Sequence, residues 1–246
     1  MKKEKNKIEI WPDVFATRDY ALHLPKKNVV IISDLHLGVE GVLRSEGVSL
    51  PQYQKKIILE RLKKILKKYK PETLIVNGDF KHNFGKNLWQ EWREVNEITD
   101  FLREQTEIIL LRGNHDNFLK TIAVKNDIPF KQKYQIENIV ILHGHKEKNI
   151  EKDKRKIIAH EHPFIKIRDK VGATLSSPCF LASENTVVMP AFSPVASGTN
   201  MITSEKKELL SPFLKKIMIE KFEVYAITDV GLLDFSSIGK LRKVVL

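Results

Sequence analysis

Five short clusters of histidine, aspartate and asparagine lie between residues 34 and 162 of this 246-residue chain. In two of them, Asp34 with His36 and His160 with His162, one residue separates the two polar side chains. This spacing places both side chains on the same side of an extended segment, because side chains alternate along a strand. The five clusters are residues 34–36, 78–82, 113–116, 143–145 and 160–162. Carboxylate and imidazole ligands together suit Mn²⁺, Fe²⁺ or Zn²⁺ better than Ca²⁺ or Mg²⁺, so the pattern predicts a metal site.

A short, mostly apolar run precedes each cluster, at residues 29–32, 73–76, 107–111, 139–142 and 156–159. Such runs, bounded by turn residues, are typical of strands that are buried on both faces. Open α/β sheets bind ligands beyond the carboxyl ends of their strands. We therefore expect the five clusters to meet at one edge of a sheet and to form a single site.

Two amphipathic helices are predicted between the first three of these strands. Residues 51–69 carry apolar side chains at helical spacing, which makes a stripe that faces the core. Residues 88–104 carry a second stripe, which includes Trp89 and Trp92. We interpret the two tryptophans as packing residues of this helix.

The composition changes after about residue 172, where β-branched and turn residues replace the helical periodicity. Strand candidates in this part include residues 222–228 and 241–246. The chain is therefore predicted to alternate strands and helices and then to continue mostly as strands. Because no long linker interrupts it, we expect one domain over residues 1–246, with the metal motifs in about 29–165.

The composition indicates a globular, basic protein. Hydrophobic residues make up 42% and charged residues 30% of the chain, which excludes a disordered tail or a membrane protein. The basic start has no apolar core of a secretory signal, so a cytoplasmic protein is expected. A single cysteine, Cys179, excludes an intrachain disulfide framework and a cysteine-cluster zinc site. The net charge of +11 suggests an anionic partner: nucleic acid, a phosphate ester or an acidic membrane surface.

The order of the motifs resembles the calcineurin-like metallophosphoesterases, whose pattern is D-x-H, G-D, G-N-H-D/E, H and H-x-H. The Gly-Asn-His-Asp run at residues 113–116 is seldom met by chance. The last motif is G-H-x-H in many members, and here Ala159 stands in place of the glycine. Softer motifs, such as residues 33–40 and 189–194, make the archaeal SbcD-related and bacterial DNA-ligase-associated phosphoesterases the closer match.

This resemblance implies two divalent metal ions, with Mn²⁺ as the first choice and Fe²⁺, Zn²⁺ or Ni²⁺ as alternatives. The implied ligands of one ion are Asp34, His36, Asp79 and His162. Those of the other ion are Asp79, Asn114, His143 and His160. Asp79 would bridge the ions together with a hydroxide, which would attack phosphorus in line with the leaving oxygen.

Three further residues are implied in the reaction. His115 matches the family histidine that is not a ligand and that protonates the leaving group or stabilises the phosphoryl oxygens. Asp116 could orient the ring of His115, as carboxylates do for other histidines. His82 matches an extra histidine of nuclease-type members that contacts the phosphate, and its alternative is a surface histidine after a turn. His145 is interpreted as structural because His143 fills the ligand position.

The resemblance also implies a four-layer α/β/β/α sandwich with two mixed sheets, the second of them completed by residues after about 172. The function we expect is a two-metal phosphodiesterase that cleaves DNA, in repair or processing. Two alternatives stay open: a phosphoesterase for nucleotides or cyclic nucleotides, and a non-catalytic metal-binding scaffold. No membrane partner is expected, whereas a homodimer and association with other DNA-repair proteins stay open.

The predicted helix at 51–69 is strongly basic. Between Lys55 and Lys70 there are eight Lys or Arg residues and one Glu. One interpretation is the solvated back of an amphipathic helix. The other is a track for the phosphate backbone of a nucleic acid, which would make binding strongly dependent on salt. The sequence does not decide between these two, nor between endonuclease and exonuclease action.

Overall fold

The structure, a computed structural model, describes residues 6–48, 53–85, 88–146, 153–168, 172 and 174–245. Within these residues the strands form two mixed sheets. The seven strands of the first sheet follow the order of the chain: β1 (Lys7–Trp11), β2 (Val14–Thr17), β3 (Leu22–Leu24), β4 (Val29–Ile32), β5 (Thr73–Asn77), β6 (Glu107–Leu111) and β7 (Phe130–Lys131). Neighbours from β1 to β4 are antiparallel, and neighbours from β4 to β7 are parallel.

The second sheet contains the other eight strands of the described chain: β8 (Tyr134–Ile136), β9 (Ile139–Ile141), β10 (Arg155–Ile158), β11 (Phe164–Arg168), β12 (Thr174–Ala182), β13 (Thr186–Val188), β14 (Glu223–Thr228) and β15 (Gly231–Ser237). Their order is β15-β14-β12-β13-β10-β9-β8, and β11 pairs with β12. The neighbours β9, β10 and β13 are parallel, and the other pairs are antiparallel. Residues after 172 therefore supply β12 to β15.

The α-helices of the described residues are α1 (Val39–Ser45), α2 (Gln54–Tyr69), α3 (Trp89–Arg103), α4 (Leu119–Lys125) and α5 (Ile238–Val245). Short 3-10 helices lie at Pro25–Lys27, Lys206–Glu208, Leu214–Lys216 and Ile219–Lys221. The two predicted amphipathic helices are confirmed as α2 and α3, and predicted helical residues 51–52 lie outside the described residues. None of the helices that the structure describes combines the length and the hydropathy needed to cross a membrane.

The core has three layers, and β4 shows how the sequence produces them. Val30 and Ile32 face the layer that contains the buried sides of α2, α3 and α4. Val29 and Ile31 face the opposite way and pack among residues of the second sheet. A strand between two apolar layers needs apolar residues at every position, which explains its unbroken run. The outer face of the second sheet is covered by α5 and the 3-10 segments, around Ile238. The predicted four-layer α/β/β/α sandwich is confirmed.

Two local predictions are wrong. Trp89 does not pack in the core: as the first residue of α3 it is 73% exposed, and the guanidinium of Arg93 lies 4.7 Å from its ring centre. Trp92, one turn later, does pack against the core. Residues 241–245 belong to α5 and not to a strand. Ile238 and Leu241, three residues apart, share the same buried helical face, and this spacing is that of a helix and not of a strand.

Candidate metal centre

The five polar clusters meet at one end of the sandwich, beyond the carboxyl ends of five strands. In the first sheet, β4, β5 and β6 lead to residues 34–36, 78–82 and 113–116. In the second sheet, β9 and β10 lead to residues 143–145 and 160–162. We expected the five clusters to meet at one edge of a single sheet. This is wrong, because both sheets contribute clusters to the site. The parallel strands of the two stacked sheets end at the same side of the molecule.

Sharp backbone turns carry the polar side chains. The φ angle is 53° at Asp34, 48° at His36, 46° at Asp79, 69° at His160 and 46° at His162. Left-handed backbone costs about 1–3 kcal/mol for residues other than glycine and is concentrated at functional sites. The extended geometry predicted from the Asp-x-His and His-x-His spacings is thus wrong. The side chains converge because the chain turns at each of these residues.

The first group of potential ligands consists of Asp34, His36 and His162, whose ligand atoms lie within 4.8 Å of one another. Nε2 of His162 is 3.2 Å from Oδ1 of Asp34 and 3.3 Å from Nε2 of His36. Nδ1 of His162 lies 2.7 Å from the carbonyl oxygen of Ser197. An Nδ1–H donated to this carbonyl leaves Nε2 unprotonated and aimed at the group, which is the form that binds metal.

The second group consists of Asp79, His143 and His160, again with ligand atoms within 4.8 Å of one another. Nε2 of His143 is 3.2 Å from Oδ2 of Asp79 and 3.1 Å from Oδ1 of Asn114. Nδ1 of His143 faces the carbonyl oxygen of Asn77 at 3.1 Å, which again turns Nε2 toward the group. The two histidines of the H-x-H motif therefore lie in different groups, His162 in the first and His160 in the second.

Asp79 lies between the two groups. Its Oδ2 is 3.2 Å from Nε2 of His143, 3.8 Å from Nε2 of His36 and 3.9 Å from Nε2 of His115. Its Oδ1 accepts a hydrogen bond of 2.9 Å from the backbone N–H of His115. This position corresponds to the bridging role that the family resemblance implies for Asp79.

A third group joins His36 to His82 and His115. Nδ1 of His82 is 3.1 Å from Nδ1 of His36. The rings of His82 and His115 are stacked, with centroids 5.1 Å apart and planes 17° apart. Nδ1 of His115 contacts the carbonyl oxygen of His82, so its Nε2 faces the centre. His82 is therefore half-buried and in contact with both His36 and His115.

The donor atoms fit divalent metal ions. Both carboxylate oxygens of Asp34 are buried, and the ring nitrogens of His162 and His143 lie 3.2 and 3.6 Å from Oδ1, so an ionised carboxylate is costly here unless a cation binds. Burial lowers the pKa of His36 to about 3, and burial together with His143 lowers the pKa of His160 to about 4. Both rings are therefore neutral at pH 7, as metal ligands must be. Burial opposes the charge of His143, but Asp79 outweighs it and raises the pKa of His143 to about 9, so a cation that binds Asp79 and His143 would displace a proton from this ring.

Two glycines allow the polar loops to come close together. A Cβ at Gly113 would lie 2.0 Å from Oδ1 of Asp79, and a Cβ at Gly78 would lie 2.2 Å from Nδ1 of His143. Gly78 also has a φ of +84°, which other residues rarely adopt. A side chain at either position would push a potential ligand out of place. This explains why the glycines directly precede the polar residues in both motifs.

Asp116 makes contacts other than the predicted one. Its Oδ1 accepts hydrogen bonds from the backbone N–H groups of Phe80 and Lys81, and its Oδ2 accepts one from Gly113. The carboxyl thus joins the loop after β5 to the loop after β6, and the ring of His115 is held by the carbonyl of His82 instead. Burial and the nearby Asp79 raise the pKa of Asp116 to about 7.

Two buried carboxylates, Glu161 within the last motif and Glu91 outside the motifs, hold the loops in place. Glu161 is fully buried and accepts hydrogen bonds from Thr199 Oγ1 and from the backbone N–H groups of Leu210 and Ser211. Glu91 of α3, 2% exposed, accepts hydrogen bonds from the backbone N–H groups of residues 82 and 83. Sequence reasoning missed both residues. The available signal for Glu91 was its place on the apolar stripe of α3, four residues before Val95.

Known proteins resemble this chain at the level of a sequence family and of solved structures. A sequence model of a family described as calcineurin-like phosphoesterase matches residues 27–187. Among solved structures, Pseudomonas putida nuclease MPE is similar to 93% of this chain and 98% of its own chain, with a TM-score of 0.68 and 19% identity. Yfce, a phosphoesterase from E. coli, is similar to 83% of this chain and 96% of its own, with a TM-score of 0.43 and 12% identity. No curated protein sequence matches significantly.

Proposed function

The chain belongs to the calcineurin-like phosphoesterase family, and from this premise we propose that it is a two-metal phosphodiesterase that cleaves nucleic acid. The observation that carries the proposal is the pair of ligand groups around Asp79, which a third group of two further histidines adjoins. Two observations support nucleic acid as the substrate. A nuclease has the same fold over 98% of its own length, and the present chain has a net charge of +11. The softer sequence motifs further suggest a closer relation to the SbcD-related phosphoesterases and a role in DNA repair.

Seven residues would hold the two ions. In this proposal Asp34, His36, Asp79 and His162 bind one ion, and Asp79, Asn114, His143 and His160 bind the other. Divalent ions held by these residues, with Mn²⁺ as the first choice, would supply positive charge for the phosphoryl oxygens and would lower the pKa of a bound water. The two sheets from which the ligands come share one apolar layer, which supports residues 1–246 as one domain.

His115 is the residue we propose for transfer of a proton to the leaving oxygen. Its Nδ1 is held by the carbonyl of His82, which leaves Nε2 to face the centre, 3.9 Å from Oδ2 of Asp79. In the protonated ring, the Nε2–H can donate to an oxygen that leaves from phosphorus. Phe84 also packs against the ring of His115, with centroids 3.8 Å apart and planes tilted by 40°, and limits its movement. His82, stacked on His115, is placed to contact a phosphoryl oxygen.

The proposal is tested with a screen of metals and substrates on the full chain. We expect Mn²⁺-dependent turnover of bis-p-nitrophenyl phosphate and of DNA, with about two ions per chain by mass spectrometry. A much higher kcat/KM for nucleotides or cyclic nucleotides than for DNA would favour the small-molecule alternative. Metal binding without turnover of any phosphodiester would contradict the proposal and favour a binding scaffold.

Glu91 is predicted to position the two histidines that are not ligands. Its Oε1 accepts hydrogen bonds from the backbone N–H groups of His82 (3.0 Å) and Asn83 (2.6 Å). Its Oε2 pairs with the buried Nζ of Lys81 at 3.2 Å. The carbonyl of His82 in turn holds the ring of His115, so one carboxylate of α3 orients both side chains.

We therefore expect Glu91→Gln to lower kcat about 10- to 100-fold with unchanged metal content, as is typical of groups that orient a site. The measurements are steady-state kinetics and the metal content of the purified protein. Glu91→Gln leaves the buried charge of Lys81 without a counter-charge and could unfold the protein. The double variant Glu91→Gln with Lys81→Met removes both charges and is measured in parallel. Glu97→Gln, on the exposed side of the same helix, is the matched control. Wild-type kcat in folded Glu91→Gln would contradict the role.

A further inference from the structure

Two adjoining cavities, together called the side channel, lead away from the metal centre along α2. The first, of about 310 Å³, begins at His162. The second, of about 200 Å³, lies farther from the centre and includes Arg18 and Lys64. Both cavities are lined by Tyr20 and Arg61, so they meet at these two side chains. The side channel therefore connects a potential metal ligand with a group of cations on the surface.

The first cavity has apolar walls with polar groups at intervals. Its lining includes Pro163, Phe164, Pro178, Ala191 and Pro194, together with three serines, Ser176, Ser193 and Ser197. A cavity of about 310 Å³ is at the lower end of the range for ligand pockets. Apolar and aromatic walls of this size suit a flat, weakly hydrated ring such as a nucleobase, which single-strand binding proteins hold by stacking it on aromatic side chains. A base in this cavity would lie directly beside the metal centre.

Arg61 is held at the junction of the two cavities. Its guanidinium lies 4.0 Å from the centre of the Tyr20 ring, and its Nη1 donates a hydrogen bond of 2.5 Å to the carbonyl oxygen of Phe192. A guanidinium that is stacked and hydrogen-bonded loses little conformational entropy when it binds an anion. The planar array of donors also matches the geometry of a phosphate. Arg61 thus places a rigid positive charge between the cavities.

The second cavity adds two more cations, Arg18 and Lys64. Its two acidic residues do not cancel this charge. Asp19, only 6% exposed, is shared by Lys64 and Lys68, each at 2.7 Å, so its single negative charge does not neutralise both lysines. The contact of Arg18 with Asp229 is a hydrogen bond of 3.1 Å to the backbone carbonyl, not to the carboxylate. The second cavity therefore presents net positive charge to a ligand.

We propose that the side channel binds the single-stranded nucleic acid next to the scissile phosphodiester, with an unstacked base in the first cavity and the following backbone phosphate among Arg18, Arg61 and Lys64. This inference rests on the proposed function of the metal centre. A mononucleotide whose phosphate lies at the metal centre has no second phosphate for the distal cavity. A base that stays paired and stacked in a duplex cannot enter the first cavity. The side channel thus selects a single strand, of DNA or RNA.

The structure also separates the two faces of the basic helix. Arg61 and Lys64 line the side channel, whereas Lys63, Lys67 and Lys70 line a different cavity that includes Phe101. Of these two faces, only the one with Arg61 and Lys64 lines the cavities that lead to His162. We therefore interpret this face of α2 as a track for phosphates and the opposite face as solvated.

The test is the binding of labelled single-stranded oligonucleotides of about ten nucleotides, with cleavage-resistant phosphorothioate links, to the metal-loaded full chain over a range of salt concentrations. We expect the double variant Arg18→Gln with Lys64→Gln to weaken binding about 10-fold or more. The slope of log K against log salt should fall by about 0.7 for each phosphate that the variant no longer neutralises. The matched control, Lys63→Gln with Lys67→Gln, removes the same charge from the other face of α2 and should leave both quantities near the wild-type values.

An equal loss of affinity in both double variants would overturn the proposal, because it would indicate a general charge effect. Unchanged binding in Arg18→Gln with Lys64→Gln, or binding of a duplex as tight as that of a single strand, would overturn it too. DNA and RNA strands compared in parallel identify the strand type. Turnover of bis-p-nitrophenyl phosphate by the wild type is measured alongside and tests the metal centre separately, because oligonucleotide affinity does not depend on that reaction.

Discussion

Asp79→Asn is expected to reduce phosphodiester hydrolysis by about 10³-fold or more, with every phosphodiester substrate. The carboxylate of Asp79 lies between both ligand groups, with its Oδ2 3.2 Å from His143 and 3.8 Å from His36. Asparagine has nearly the same shape and keeps an oxygen for the backbone N–H of His115. What it removes is the negative charge that two cations would share.

The measurements for Asp79→Asn are kcat/KM with bis-p-nitrophenyl phosphate, the metal content, and the rise in Tm on addition of Mn²⁺. We expect fewer bound ions and a smaller rise in Tm, because a ligand stabilises only the state that binds it. Asp127→Asn is a matched control: Asp127 also has left-handed backbone, with a φ of 52°, but lies in the turn after α4. Activity within 10-fold of wild type, with two ions bound, would refute the bridging role.

His115→Ala is expected to lower kcat on DNA by about 10²- to 10⁴-fold, as is typical for the loss of a general acid. The effect should depend on the leaving group. A sugar oxygen leaves as a strong base and needs a proton, whereas p-nitrophenolate is a weak base and leaves without one. We therefore expect a much smaller loss with bis-p-nitrophenyl phosphate. This comparison within one variant also controls for damage to the metal centre.

The outcome for His115→Ala separates two roles that the family resemblance leaves open. A loss that is equal for both leaving groups would indicate that Nε2 stabilises phosphoryl oxygens rather than donates a proton. Unchanged kcat on DNA would refute both roles. Brønsted plots with a series of phenol leaving groups give the same distinction as a slope: a steeper dependence on leaving-group basicity in the variant supports proton transfer.

Much of the fold and the residues of the centre could be predicted from local sequence. Strands such as β4 are recognisable because a strand between two apolar layers needs apolar residues at each position. The polar residues follow these strands directly, so their number and order are visible in the chain. Gly78 and Gly113 are also recognisable, because each directly precedes a polar motif residue. The loops are so close there that a side chain at either position would clash with His143 or Asp79.

The tertiary structure decided which groups contact one another across the chain. Asp116 holds backbone N–H groups 35 and 36 residues away instead of the neighbouring His115, and Glu161 holds N–H groups 49 and 50 residues away. The partners of these carboxylates are backbone N–H groups. Every residue except proline has one, so the residue types in the sequence do not indicate which N–H groups are bound. The two faces of α2 differ for the same reason. Lys63 and Lys64 are adjacent residues of the same type, and only packing places Lys64 at the side channel.

The sequence by itself therefore determined the kinds of potential ligand atom and the strands that present them. Their convergence from two sheets, and the buried carboxylates that hold them, depend on long-range packing.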